Sequence, residues 1–205
     1  MTQKRGGKAG RQRKGTGELR SRVAETALHI AAGEGWMSVC PLRVAQVTKD
    51  NLADVLRVAP THAALADVVF QYIDDLVLNE IGGIDFTDPA KDRLFEILMI
   101  RFDALQRFRA GIQSLLSSYR QMPLAALCRF PRLVKSMEMT LCAAVIPPAG
   151  SLDAVRGQVL ALGYLSVLRV WQADESADMA QTMSALDKML SRLQRLRETV
   201  TQRDT

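Results

Sequence analysis

The side chains with catalytic or metal-binding reach are few and scattered in this chain. His29 and His62 are its two histidines, and Cys40, Cys128 and Cys142 its three cysteines. No set of them falls at the short spacing that closes a zinc site. The sequence has no phosphate loop, no dinucleotide fingerprint and no nucleophile elbow. Asp74 and Asp75 are adjacent on a predicted helix, so their carboxyls diverge by about 100° and make a poor acid–base pair. These residues read as no enzyme, with no catalytic residue, no metal ligand and no cofactor. An odd number of cysteines without a pairing pattern suits a reducing cytoplasm better than a disulfide framework.

What remains is charge and shape. Lys4, Arg5, Lys8, Arg11, Arg13 and Lys14 put +6 into residues 1–17 with no acid among them, against +5 for the whole chain. The rest is therefore close to neutral. A basic segment of this kind suits a polyanion, either nucleic acid or an anionic membrane surface. It also holds five glycines and, beyond Met1 and Ala9, nothing apolar to anchor it, and is expected to be a mobile arm able to lie along phosphates or enter a minor groove.

The stretch from Ser38 to Leu65 has the pattern of two short helices across a tight turn. The first is predicted over about Pro41 to Val47, with Pro41 at a position where its missing N–H costs nothing. The turn covers Thr48 to Asn51. Asn51 then caps a second helix reaching about Val58, Pro60 stops it, and Thr61 caps the next. Two short helices joined this way form a helix-turn-helix, whose second helix can enter the DNA major groove.

The elements that must position this pair are helical throughout, and no strand alternation is present. Helix 1 is predicted over about Glu18 to Ala32, with Leu19, Val23, Ala27 and Ile30 on one face and Gly33 and Gly35 ending it. Trp36 is expected to pack under the two short helices. Helix 4, about His62 to Ile81, carries a broad apolar stripe that needs contact on two sides. Helix 5 is predicted to start with Asp88 as cap and Pro89 at its first position. Helix 6 runs from about Arg109 to Gln121. Pro123 opens the next segment, Pro131 interrupts it, and Pro147-Pro148 closes it. Helix 8, about Leu152 to Ala173 with Ser151 as cap, is apolar nearly all round from Val159, and such a helix must be covered on every side. Helix 9, about Ala177 to Thr199, steps Met179, Met183, Leu186, Leu190 and Leu193 as a seam for a partner helix. The longest apolar run, Val159 to Trp171, is too short to span a bilayer and contains Arg169. Three units result: a basic arm at 1–17, a helix-turn-helix unit at 18–60, and a helical ligand-binding and dimerisation domain at 61–205.

With this order and these lengths the chain resembles the TetR/AcrR family of bacterial regulators over residues 18–200. The family's motif lies on it without gaps: the small residue before helix 2 on Cys40, Ile-Ala on Val44-Ala45, and the Ala-Gly-Val-Ser turn on Thr48-Lys49-Asp50-Asn51. Leu-Tyr-x-x-Phe falls on residues 55–59 and Pro-Ser-Lys-x-x-Leu on residues 60–65. Lys49 stands for the turn glycine, Leu56 for the tyrosine that touches phosphate, Ala59 for the packing phenylalanine and His62 for the phosphate-binding lysine. Asp50 and Asp54 put acids where phosphates would lie, which costs Coulomb energy.

The resemblance implies an all-α, cytoplasmic homodimer joined through its last two helices. It implies a transcriptional regulator, a repressor, that binds operator DNA through Lys49, Asn51, Arg57, His62 and Arg43. A small apolar effector would lie among helices 5 to 8, near Met99, Phe102, Leu116, Tyr119, Met137, Leu141 and Tyr164. The segments Arg93–Leu105 and Gly163–Asp174 also resemble the ubiquinone-biosynthesis accessory family, which shares the TetR fold and binds lipid. The alternative is therefore a TetR-fold lipid- or quinone-binding protein that has lost DNA reading.

Overall fold

Helix α1 is the longest element, spanning Gly6–Glu34 in a computed structural model that describes residues 6–85, 87–146 and 153–201. It begins well before the expected start near Glu18. Residues 6–17, expected as a mobile arm, continue the helix, while residues 1–5 lie outside the described residues. Extending an existing helix needs no new nucleus, and Arg11, Gln12, Arg13 and Lys14 are good helix formers that offset the glycines around them. The helix ends at Glu34, two residues past the expected Ala32, with Gly33 still helical. Gly35 takes φ 87°, a conformation open to glycine at little cost.

The chain divides into two compact units, one made of residues up to Leu76 with Leu105–Pro123, the other of Val77–Ala104 with residues from Leu124 onward. The first unit contains α1, α2 (Pro41–Thr48), α3 (Leu52–Val58), most of α4 (His62–Glu80) and α6 (Arg109–Gln121). Sequence patterning placed α4 and α6 in the larger domain, but α6 is the main neighbour of α1. Gly111 makes this possible, because a Cβ there would stand 2.4 Å from the Leu28 carbonyl oxygen. Val23, Ala24, Ala27, Leu28 and Ala31 of α1 are buried together with Ile112 and Leu115 of α6. Trp36, in a short turn of helix, is buried, but its segment packs chiefly against α1 and α6 and not, as expected, under the two short helices. Its backbone N–H donates to Ser114 Oγ of α6 at 2.8 Å. Tyr72 of α4 donates its hydroxyl to Glu25 of α1. Burial, and then the Glu25 carboxylate beside it, raises the phenol well above its ordinary range, so it stays a donor.

The second unit contains α5 (Ala90–Arg107), α7 (Pro123–Ala143), α8 (Asp153–Ala173) and α9 (Ala180–Thr201). Its buried side chains are Ile97, Leu98 and Phe102 of α5, Met137 of α7, Leu160, Ala161 and Trp171 of α8, and Leu186 of α9, among others. Helix α5 starts at Ala90, one residue later than expected. Asp85, not Asp88, holds the preceding turn by accepting from Thr87 N and Oγ1, both at 2.8 Å. Helix α7 runs through Pro131 without the expected break. A proline inside a helix costs about 3 kcal/mol, and the buried side chains of Ser136, Met137 and Thr140 hold the next turns in place. The expected cap Ser151 and the stop at Pro147-Pro148 lie outside the described residues.

The connection from α8 to α9 is fastened by one carboxylate. Asp174 is 1% exposed. It accepts from Ser176 N at 3.1 Å and from the Ser176 hydroxyl, and its other oxygen accepts from Thr182 N at 2.8 Å and Thr182 Oγ1 at 2.7 Å. The Ser176 hydroxyl first, then the Thr182 donors, hold this carboxyl far below its ordinary value. Gly163 lets α9 approach α8, since a Cβ there would meet Met189 Sδ at 2.7 Å. The expectation that α8 is covered on every side is not met within one chain: Val155, Val159 and Leu162 are 50%, 37% and 59% exposed.

Candidate nucleic-acid interface

The α2–turn–α3 pair forms where the sequence predicts it. Cys40 caps α2, its sulfur accepting from Arg43 N at 3.4 Å, with Pro41 in the first turn. Lys49 then takes the left-handed conformation, φ 59° and ψ 21°. That is the backbone a turn glycine would adopt easily, and a residue with a Cβ adopts it at a cost of about 1–2 kcal/mol. Thr48 stabilises the turn by donating to the Ala45 carbonyl at 3.4 Å and accepting from Asp50 N at 3.3 Å. Asn51 caps α3, its side-chain oxygen accepting from Ala53 N at 2.8 Å. Val44 and Ala45 of α2 and Val55 of α3 are buried and fix the two helices to the body of the unit. Thr61 caps α4 by accepting from Ala64 N at 3.0 Å.

Three arginines around this surface are each paired with an acid. Arg43 donates to Glu34 at 2.8 Å, and this bond raises the guanidinium pKa further, so it is always charged. Arg22 donates to Asp50 at 2.8 Å. Arg57 of α3 is paired with Asp54 one turn before it. Their side chains are 75% and 51% exposed, and a pair so exposed contributes about 0–1 kcal/mol. Lys49 is exposed and is in no ion pair among the described residues.

The five residues expected at DNA therefore occupy different situations. Lys49, Arg43, Asn51 and Arg57 are exposed, with Arg43 and Arg57 paired to acids and Asn51 oxygen engaged as the cap. His62 is half-buried. Its Nε2 lies 3.1 Å from the Trp36 carbonyl and its ring centre 5.3 Å from the Trp36 ring. A carbonyl can only accept, so Nε2 carries the proton. This histidine joins the start of α4 to the turn after α1. Exposed leucines lie alongside: Leu42 on α2, and Leu52 and Leu56 on α3 at 37% and 39%.

No protein-family model and no curated protein matches the chain. Solved structures do. The TetR transcriptional regulator from Nitrosomonas europaea ATCC 19718 superimposes with a TM-score of 0.69 at 22% identity, covering 85% of this chain and 97% of that one. A TetR transcriptional regulator from Rhodococcus sp. RHA1 gives 0.58 at 18% identity, covering 86% and 97%. The chain has the TetR-regulator fold.

Of the residues expected around an effector in this TetR fold, Phe102, Met137 and Tyr164 are buried and Met99 and Leu141 half-buried in the second unit. Phe102 and Tyr164 stack with ring centres 5.4 Å apart. The guanidinium of Arg101, 4% exposed, lies 5.9 Å from the centre of the Tyr164 ring. Leu116 and Tyr119 are half-buried and belong to the first unit. An open cleft of about 480 Å³ lies elsewhere, against α8 and α9, where Val170, Ser184 and Lys188 line it. No group of three metal-binding side chains occurs among the described residues. No described helix is long and apolar enough to cross a membrane.

Sequence reasoning missed the partners of Arg43 and Arg22. Glu34 and Asp50 are distant in the chain from the arginines they meet, and no local spacing reveals them. The Asp54–Arg57 pair was available, because residues three apart on a helix are neighbours. Arg101 carried no signal beyond being a charge on the apolar face of a predicted helix.

Proposed function

We propose that this chain is a TetR-type transcriptional regulator, a repressor, that binds operator DNA as a homodimer. The observation that carries the reading is the α2–turn–α3 pair. Its left-handed turn at Lys49, its Asn51 cap and its buried Val44 and Val55 are kept, and the outer face of α3 stands exposed. Exposed Lys49, Arg43 and Arg57 supply the cations and Asn51 stands at the start of α3, while His62, also assigned to DNA here, lies at the start of α4 against Trp36. Val155, Val159 and Leu162 step by four and three along α8, and Met183 of α9 is also exposed. That stripe is the surface a second copy covers. A small apolar effector binds in the second unit beside the Phe102–Tyr164 stack and changes DNA affinity by favouring one conformation.

The test is selection of duplexes from a random pool by the purified full chain. Enrichment of a two-fold symmetric site, with half-sites about one helical turn apart, is the expected result. Steeply salt-dependent binding with no enriched sequence would remove the operator from the proposal. Co-purified lipid or quinone in native mass spectrometry would then select the lipid-binding alternative.

A further inference from the structure

The outer face of α3 is poor in hydrogen-bonding groups and rich in methyl groups. Leu52 and Leu56 lie one turn apart on it, both more than a third exposed, with exposed Ala53 between them. The two charged side chains of the helix, Asp54 and Arg57, are bonded to each other. The side-chain oxygen of Asn51 is taken by the Ala53 N–H. A reader of base edges by hydrogen bonds needs free donors and acceptors, such as a bidentate arginine on guanine or asparagine on adenine. This face offers isobutyl groups instead. The apolar feature that the major groove presents is the C5-methyl of thymine.

We infer, resting on the DNA reading above, that Leu52 and Leu56 are specificity residues that recognise thymine through its methyl group. Charge divides the labour in the same direction. The excess of cations over acids lies in residues 1–17, so attraction to phosphates, which carries no sequence information, is supplied outside α3. Within the helix-turn-helix, Arg22, Arg43 and Arg57 are each matched by an acid. Discrimination is left to the shape and apolar contacts of α3.

The experiment takes the duplex enriched by the selection and replaces its thymines one at a time by deoxyuridine. That change removes one methyl group and leaves every hydrogen-bonding group in place. Binding of the full-length protein is followed by fluorescence anisotropy. At contacted thymines a loss of about three- to fivefold in affinity per methyl is expected, and L52A/L56A protein binds thymine and deoxyuridine duplexes equally. Both leucines are exposed, and an unchanged circular-dichroism melt of L52A/L56A shows that it is folded. If deoxyuridine has no effect at any position of an enriched site, the methyl readout is wrong and the DNA reading stands. If deoxyuridine weakens binding equally in wild type and L52A/L56A, the methyls are read by other residues. If no sequence is enriched at all, the DNA reading fails and this inference with it.

Discussion

Adding one methyl group at Gly111 tests whether α6 is seated directly on the backbone of α1. In G111A the new Cβ would stand 2.4 Å from the Leu28 carbonyl oxygen, 3.0 Å from its carbon and 3.1 Å from its Cα. All three are backbone atoms, so no side-chain rotation relieves the overlap. The helices must part by roughly 1 Å to reach ordinary contact, and a gap of that size forfeits up to about half the dispersion energy of the atoms facing it. Overpacking of this kind costs about 1–3 kcal/mol, and backbone against backbone belongs at the upper end. Alanine returns about 1 kcal/mol of helix propensity. The net expectation is a destabilisation of about 2 kcal/mol, or roughly 4–8 °C in melting temperature for a chain of this size. Gly33 is the internal control: it is helical with nothing within 4 Å of its added Cβ, so G33A should gain about 0.5–1 kcal/mol. Thermal and urea melts of the two variants decide the matter. A G111A protein as stable as wild type, beside a stabilised G33A, would refute the direct seating of α6 on α1.

Four further variants probe the site and its support. K49G relieves the left-handed lysine and should stabilise by about 1 kcal/mol while flattening the salt dependence of DNA binding by about one unit of slope; a melt that does not rise contradicts the strained turn. N51A removes the α3 cap and should cost about 0.5–2 kcal/mol, and an unchanged urea midpoint would show that the cap contributes nothing. D54N releases Arg57 and removes a charge near phosphate, so duplex affinity should rise several-fold with a slope steeper by about one unit; anisotropy titrations across salt give the answer, and equal binding counts against α3 as a DNA-facing helix. Asp174 has a folded pKa below its unfolded value, so its stabilisation is present above about pH 4 and is lost as pH falls through the lower folded value. D174N should therefore melt below wild type at neutral pH, with the gap closing in acid, and a gap constant with pH would remove Asp174 from the account.

Local signals were the legible ones. Pro41, Asn51 and Pro60 bounded α2 and α3 because each acts on the backbone within one turn of itself, and α6 came out with the ends read from sequence. Most of the misreadings have a cause beyond the residue's own turn. At Pro131 the local penalty is real, but packing of the following turns overrides it. Residues 6–17 look like a loop by their glycines, yet they continue a helix that is already nucleated. α6 shows an apolar stripe that says it is buried, not against what, and the close approach at Gly111 decides that it belongs with α1. The acids that meet Arg22 and Arg43 are likewise set by the fold, so a reading of the helix-turn-helix by sequence alone overestimates its free positive charge.

Those pairs do not lock the surface against DNA. The exposed Arg57–Asp54 pair is worth about 0–1 kcal/mol, whereas a hydrogen bond from a charged donor to phosphate contributes about 1.5–3 kcal/mol. Arg57 can therefore exchange Asp54 for a phosphate with a net gain. The carboxylate it leaves behind still opposes the backbone, by about 0.6 kcal/mol for a phosphate roughly 7 Å away in water. The gain from each arginine is thus reduced by its own acid, and a helix-turn-helix built of such pairs adds little to affinity for an arbitrary duplex. Weak sequence-independent attraction at the reading helix is an advantage for discrimination, because the specific contacts then make up a larger share of the difference between an operator and the rest of the genome. On the proposed DNA reading the acids at positions 50 and 54 and the leucines at 52 and 56 belong to one design: the arginines around α3 are paired with acids, and the excess of cations over acids lies in residues 1–17.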